Sequence, residues 1–197
     1  MKTIILASNN QHKIKEFREI LKNYQIMSLE DIGFLDEIEE TGTTFLENSL
    51  LKAQAVHKFL KEKKLSYYVI ADDSGLCVDA LDGAPGVYSA RYGGDHNSQA
   101  NRDKLLKEMQ EKTNRNAYFI CGLVFMRPDG SYAYVEGKTY GKITDREIGD
   151  TSFGFDPLFL SDDLGKTFGE VPKEEKNSVS HRKRAIDKLL ELLENEK

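Results

Sequence analysis

Four short stretches concentrate side chains capable of chemistry. The first, Ser8-Asn9-Asn10-Gln11-His12-Lys13, is polar throughout and lies between an apolar run and a helical pattern. Free N–H groups at a helix start favour an anion, and Ser8, Asn10 and Lys13 add side-chain donors, so a phosphate is a fitting guest. The stretch lacks the glycines of a P-loop or dinucleotide fingerprint, and the same residues serve equally well as a plain helix cap. The second stretch is acidic: Glu37, Glu39, Glu40 and Glu47, followed by Asp72 and Asp73 at the end of Tyr67-Tyr68-Val69-Ile70-Ala71. Hard oxygen ligands of this kind suit magnesium, which is commonly held by one or two carboxylates together with substrate phosphates. A solvated acidic face is the competing reading for Glu37 and Glu39. It is weaker for Asp72 and Asp73, whose mutual repulsion a cation would relieve.

The third stretch, Phe153-Gly154-Phe155-Asp156, sets aromatic faces beside a glycine that lets backbone approach closely, and adds a carboxylate acceptor. Such a group suits a planar base, although an apolar turn entering a strand at Leu158 accounts for it too. The fourth presents Lys176, His181 and Arg182 as donors around the start of the last helix. Positive charge there opposes the helix macrodipole, which invites an anionic partner; a solvated basic helix start is the alternative. Phosphate donors, metal ligands, a base platform and donors for a base edge together point to a nucleotide enzyme.

These residues need elements to hold them. Thr3–Ala7 reads as a short buried strand, and Ile14, Phe17, Ile20 and Leu21 follow at helical spacing. A second short apolar stretch covers Gln25–Ser28. Thr44 with Glu47 three residues on predicts a capping box and a helix to about Lys61. Tyr67–Ala71 is the next strand, ending at the two aspartates, with Ser74-Gly75 turning the backbone away. Asp82–Gly86, with Pro85 and two glycines, reads as a tight turn. A helix carrying Leu105, Leu106 and Met109 follows Ser98, and two long strand-like runs flank Pro128-Asp129-Gly130 as a hairpin. Ile186, Leu189, Leu190 and Leu193 predict a final helix with Ser180 as its cap. Alternating elements early and strands later describe an α/β chain with a mixed sheet.

Bulk properties narrow the class. A length of 197 residues suits one compact domain, and 39% hydrophobic with 31% charged residues excludes a disordered chain. The net charge of -5 argues against a duplex nucleic acid partner, which needs a basic face. The absence of a long apolar run argues against a membrane partner and points to a cytoplasmic protein. Cys77 and Cys121 lie in strand-like stretches without metal-type spacing and read as reduced core thiols.

The motifs SNNQHK, ETGTTFLENSLLKA, ADDSGLCVDALDGAPGVYSARY, FGFDPLF and EEKNSVSHR, in this order, resemble those of the inosine triphosphate pyrophosphatase family over nearly the whole chain. The resemblance implies an α/β fold with a long curved mixed sheet, flanking helices and two lobes around a central cleft, in a single domain over 1–197 that forms a homodimer. It implies magnesium-dependent hydrolysis of non-standard purine nucleoside triphosphates, such as ITP, dITP and XTP, to the monophosphate and pyrophosphate. Carried over by position, Ser8, Asn9, Asn10, Gln11, His12, Lys13 and Lys52 would hold phosphates. Glu40 and Asp73, with Asp72 as a further candidate, would bind magnesium. Asp73 would be the general base, and Ser74 would touch substrate. Phe153, Gly154, Phe155 and Asp156 would line the base and sugar, and Lys176, His181 and Arg182 would complete the pocket. Two other readings use the same residues: a nucleotide sensor without turnover, and a Maf-type pyrophosphatase acting on other nucleotides. The SHR and FGFD elements point away from the Maf type.

Overall fold

The computed structural model describes residues 2–150 and 153–194, with the side chain of His12 outside the described set. Six strands hydrogen-bond in the order β2-β1-β3-β4-β5-β6. They are β1 (Lys2–Leu6), β2 (Tyr24–Met27), β3 (Tyr68–Val78), β4 (Asn116–Met126), β5 (Tyr132–Ile143) and β6 (Phe159–Ser161). Five α-helices are described: α1 (Gln11–Ile20), α2 (Phe45–Glu62), α3 (Ser98–Glu108), α4 (Lys173–Val179) and α5 (His181–Glu194). The sheet is mixed, since β1 pairs in parallel with β2 and β3 whereas β5 pairs antiparallel with β6. No described helix is long and apolar enough to cross a membrane.

Two compact units emerge from the packing. The first comprises the chain up to Asp73, Gly122–Val135 and the residues from Lys188 on; the second comprises Ser74–Cys121 and Glu136–Asp187. In the first unit the chain leaves β1, forms α1 and returns as β2 on one side of β1, then returns after α2 as β3 on the other. Connections therefore diverge at the carboxyl end of β1, the place where α/β sheets leave room for a ligand. Register brings Leu6 opposite Ile70, so the chain leaves β1 toward Ser8 beside the part of β3 that carries Asp72. Ile5, Ala53, Val56, Leu60, Val69, Ala71 and Val124 form the core beneath, and each large aliphatic side chain there contributes about 1.5–3 kcal/mol of burial.

The expected capping box is present. Thr44 Oγ1 accepts from Glu47 N–H at 3.1 Å, while Glu47 Oε2 accepts from the N–H groups of Thr43 and Thr44 at 2.7 and 3.2 Å. The hairpin also forms, with Gly130 at φ +90° in its turn. Ser180 caps α5 through its hydroxyl, which accepts from Lys183 N–H at 3.1 Å. Both cysteines are free and buried.

One expectation is corrected. β3 does not end at Ala71 but continues through Asp72, Asp73, Ser74 and Gly75 to Val78. Two adjacent acids inside a strand are tolerable because Lys13, Asn48 and Lys52, from α1 and α2, neutralise or bond them. The backbone turns later, where Asp82, Gly83 and Gly86 all have positive φ, as the Asp82–Gly86 turn requires.

In the second unit Leu76, Val78, Leu105, Met109, Phe155, Leu158, Phe159 and Phe168 share a core. Beside it Phe119 stacks on Phe168 and His181 and meets Phe159 at a tilt.

Candidate active site

The first unit places its polar candidates on regular elements. In the loop after β1, the side chains mostly brace the backbone. Ser8 Oγ accepts from Asn10 N–H at 3.1 Å, Asn10 Oδ1 accepts from Lys13 N–H at 3.2 Å, and Asn9 Oδ1 accepts from Glu30 N–H at 2.9 Å. Both readings of this stretch therefore have substance: Asn10 caps α1, and the capped helix start remains an anion-favouring terminus. Gln11 is exposed in the first turn of α1, and His12 follows it.

Lys13, one turn into α1, reaches across to β3. Its Nζ donates to both oxygens of Asp72, at 3.0 and 2.8 Å. Lys52, on α2, is almost wholly buried and donates to Glu40 Oε1 at 2.7 Å and to the Asp72 carbonyl at 2.6 Å. Burial pulls the Lys52 ammonium down, but Asp72, Glu40 and Asp73 together outweigh it and leave its pKa raised. Asp72 thus organises two cations, one with its side chain and one with its backbone.

Asp73 lies beside this pair of ion pairs. Asn48 Nδ2 donates to Asp73 Oδ2 at 2.9 Å, while Asn48 Oδ1 accepts from Gly42 N–H at 2.8 Å. Because a backbone N–H can only donate, the Gly42 contact fixes which way the Asn48 amide points. Gly42 has to be glycine, since a Cβ there would stand 2.6 Å from Asn48 Oδ1. Burial raises the Asp73 pKa; Lys52 and Asn48 pull it down without cancelling the rise, and Glu40 and Asp72 push it further up. Asn48 was not among the residues expected from sequence. Its only signal was position, one turn into a capped helix.

These five ionisable groups hold three carboxylates against two ammoniums, an excess of negative charge in a largely buried place. Among the described residues no three His, Cys, Asp or Glu side chains converge as a metal cage. Glu40 and Asp73, hydrogen-bonded to Lys52 and Asn48 and electrostatically coupled to each other, are hard oxygen donors of the type a divalent cation takes together with phosphates and water.

The second unit places the other candidates differently. Ser74, the first of its residues, is half-buried in β3. Phe153 and Phe155, equivalent in sequence, separate in the structure. Phe155 is 4% exposed within the core, whereas Phe153 is 63% exposed. The expectation that both rings line a base is therefore corrected to one available face, because Phe155 packs with Leu158 and Phe159. Gly154 between them has φ +51°, a left-handed conformation that glycine adopts without strain. Asp156 is buried and forms an ion pair with Lys176, whose ammonium also lies 5.3 Å from the Phe153 ring centre. Burial raises the Asp156 pKa, with Lys176 opposing the rise. His181 is buried in a parallel stack on Phe119 with ring centres 5.2 Å apart, and Arg182 is half-buried on the next residue of α5. Arg102 of α3, also absent from the expected set, donates to the Gly154 carbonyl at 2.9 Å.

The arrangement in the first unit can bind an anion, hold a cation and orient water; that in the second can meet an aromatic ring and its polar edge. The model of the Ham1 family matches residues 4–192. The dITP/XTP pyrophosphatase of Clostridium perfringens is 49% identical over 195 residues, covering 96% of each chain. That of Bacillus subtilis is 47% identical over 199 residues, covering 98% of each chain. Among solved structures, the Staphylococcus aureus Ham1 protein is similar with a TM-score of 0.90 at 42% identity, covering both chains completely. A dITP/XTP pyrophosphatase from Mycobacterium abscessus has a TM-score of 0.78 at 37% identity, covering 95% of this chain and 98% of its own. With the match running from β1 to α5, the chain belongs to the Ham1 family.

Proposed function

We propose that the protein is a nucleoside triphosphate pyrophosphatase that cleaves non-standard purine nucleotides, XTP, ITP and dITP, to the monophosphate and pyrophosphate. Such an activity keeps deaminated purines out of DNA and RNA. The observation that carries the reading is Asp73: a buried carboxylate, oriented by Asn48 and flanked by two lysine ion pairs. The names of relatives at 42–49% identity support it.

Water attacks the α-phosphorus in line, forming one P–O bond as the bond to the bridging oxygen of pyrophosphate breaks. Asp73 orients this water and takes its proton, helped by the burial that raises its pKa. Lys13 and Lys52 stabilise charge developing on the departing pyrophosphate. Asp72 is engaged with Lys13 and Lys52, so its part is to hold the lysines in place rather than to ligate metal. Magnesium, held by Glu40 and Asp73 with the substrate phosphates, would supply Lewis-acid polarisation and lower the pKa of bound water. The start of α1, Ser8 to Lys13, receives phosphate oxygens, and Ser74 contacts substrate next to Asp73.

All triphosphates offer the same charge, so selectivity lies at the base. Phe153 meets the purine face, and Asp156, Lys176, His181 and Arg182 meet its edges. Donors there favour the 6-oxygen of hypoxanthine and xanthine over the 6-amino group of adenine. A donor facing position 2 disfavours the amino group of guanine. Residues 1–197 act as one catalytic domain in the cytoplasm, and the resemblance of the motifs supports a homodimer as the working assembly.

Pyrophosphate release with magnesium from ITP, XTP, GTP and ATP at equal concentration tests the reading. Strong release from the first two is expected. Nucleotide binding without release from any of the four would make the protein a sensor and overturn it.

A further inference from the structure

Arg102 is the side chain near the aromatic loop that the proposed chemistry leaves without a task. It is 2% exposed, and a buried guanidinium is retained only with its donors paired. Nη1 donates to the Gly154 carbonyl at 2.9 Å, Nη2 donates to Gln99 Oε1 at 2.7 Å, and Nε lies 3.0 Å from Glu147 Oε1. Gln99 closes the ring, its Nε2 donating to the same Glu147 oxygen at 2.7 Å and to Asp103 Oδ1 at 2.9 Å. The planar fork is thus locked by one residue a turn earlier on α3 and by one in the segment after β5. A lysine, with a single ammonium on a flexible stem, cannot reproduce two directed N–H bonds and a charge contact in one plane.

The contact made by this locked fork falls at an informative place. No atom would lie within 4 Å of a Cβ on Gly154, so glycine is needed there for its left-handed backbone and not for room. The loop is then held on one side by Phe155 in the core and at its centre by Arg102, while Phe153 alone faces outward. Fixing the Gly154 carbonyl fixes where the Phe153 ring stands, and with it the ring's approach to the Lys176 ammonium.

We propose that Arg102 is a positioning residue for base recognition, acting through the Gly154 carbonyl to place Phe153, so that it sets affinity for the purine and leaves the triphosphate chemistry untouched. The inference rests on the reading that Phe153 meets the base. It would make the Arg102-Gln99-Glu147 ring a determinant of selectivity that never touches substrate.

The test compares Arg102→Lys, Phe153→Ala and the double variant with wild type, using XTP hydrolysis and competitive inhibition by inorganic tripolyphosphate, a probe without a base. Arg102→Lys is expected to raise KM for XTP about tenfold with kcat within about threefold, and to leave tripolyphosphate inhibition unchanged. In the Phe153→Ala background the same substitution should add less than about twofold, since the ring it positions is gone. Glu147→Gln, which keeps the volume and weakens the lock, should show the same pattern at about threefold and stands in if Arg102→Lys folds poorly. Tripolyphosphate inhibition weakening in step with KM, an effect that multiplies in full with Phe153→Ala, or an unchanged KM would each overturn the proposal. A wild-type protein that releases no pyrophosphate from any purine triphosphate would be a different failure, taking down the parent reading first and this one with it.

Discussion

The polar cluster of the first unit and the aromatic loop of the second both pair their charges, but on different kinds of backbone. In the first, Lys13, Lys52, Glu40, Asp72 and Asp73 sit on or beside strand and helix, each cation already bonded to a carboxylate or carbonyl. In the second, two ion pairs, Asp156 with Lys176 and Arg102 with Glu147, stand near an exposed ring carried on irregular backbone. Regular elements give a rigid frame in which charges can be arranged before any ligand arrives, which is what stabilising a charged transition state needs. A loop pinned by one guanidinium gives shape selectivity at lower cost in stability, because an aromatic face needs no counter-charge. The contrast implies that damage to the first cluster removes turnover and damage to the second removes discrimination.

The largest effect expected is for Asp73→Asn. The amide keeps an oxygen to accept from Asn48 but takes no proton, so kcat should fall about 10³-fold or more with the fold intact. Rapid hydrolysis by this variant would dissolve the contrast between the two regions. Next is Lys52→Met, which leaves Glu40 and the Asp72 carbonyl without their donor. A loss of about 10²-fold in kcat/KM is expected, with about 2 kcal/mol of stability. That figure is below the 3–5 kcal/mol, roughly, of a fully buried pair because the Glu40 side chain is 32% exposed. Denaturant melts and XTP kinetics on one sample measure both. Phe153→Ala should be felt mainly in KM, by about tenfold from lost stacking, with kcat nearly unchanged and preference for XTP over GTP reduced. A kcat loss as large as that of Lys52→Met would place the loop in the chemistry after all.

The smallest effect is on stability against pH. Burial pushes the Asp73 carboxyl above the ordinary value of 3.8, so the folded chain holds that proton more tightly than the unfolded chain does. Its contribution is therefore most favourable below 3.8 and is lost as pH rises from there through the raised folded value. Without divalent metal, Asp73→Asn should melt higher than wild type by roughly 2 °C at neutral pH, the difference closing toward acid. A variant that melts lower at neutral pH would show that the Lys52 and Asn48 contacts outweigh burial.

Local features were readable from the chain and tertiary ones were not. The Thr44–Glu47 capping box, the Pro128-Asp129-Gly130 hairpin and the Ser180 cap depend on residues a few positions apart, and each forms as read. The end of β3 was misplaced because the groups that make Asp72 and Asp73 acceptable inside a strand come from α1 and α2, 59 and 25 residues away for Lys13 and Asn48. Phe153 and Phe155 flank the same glycine, and nothing in that dipeptide spacing tells which ring joins Leu158 and Phe159 in the core. For Lys52 the family resemblance implied a phosphate contact but not its partner Glu40, which approaches from before the helix. Arg102 sits in a helix read only from Leu105, Leu106 and Met109, and packing shows it buried.

The most direct test of the account is hydrolysis of XTP by the magnesium-loaded protein in ¹⁸O-labelled water, with products resolved by mass spectrometry. Attack of water on the α-phosphorus would give XMP carrying one labelled oxygen and pyrophosphate carrying none. Inorganic phosphate as the first product, or label in the pyrophosphate, would contradict it.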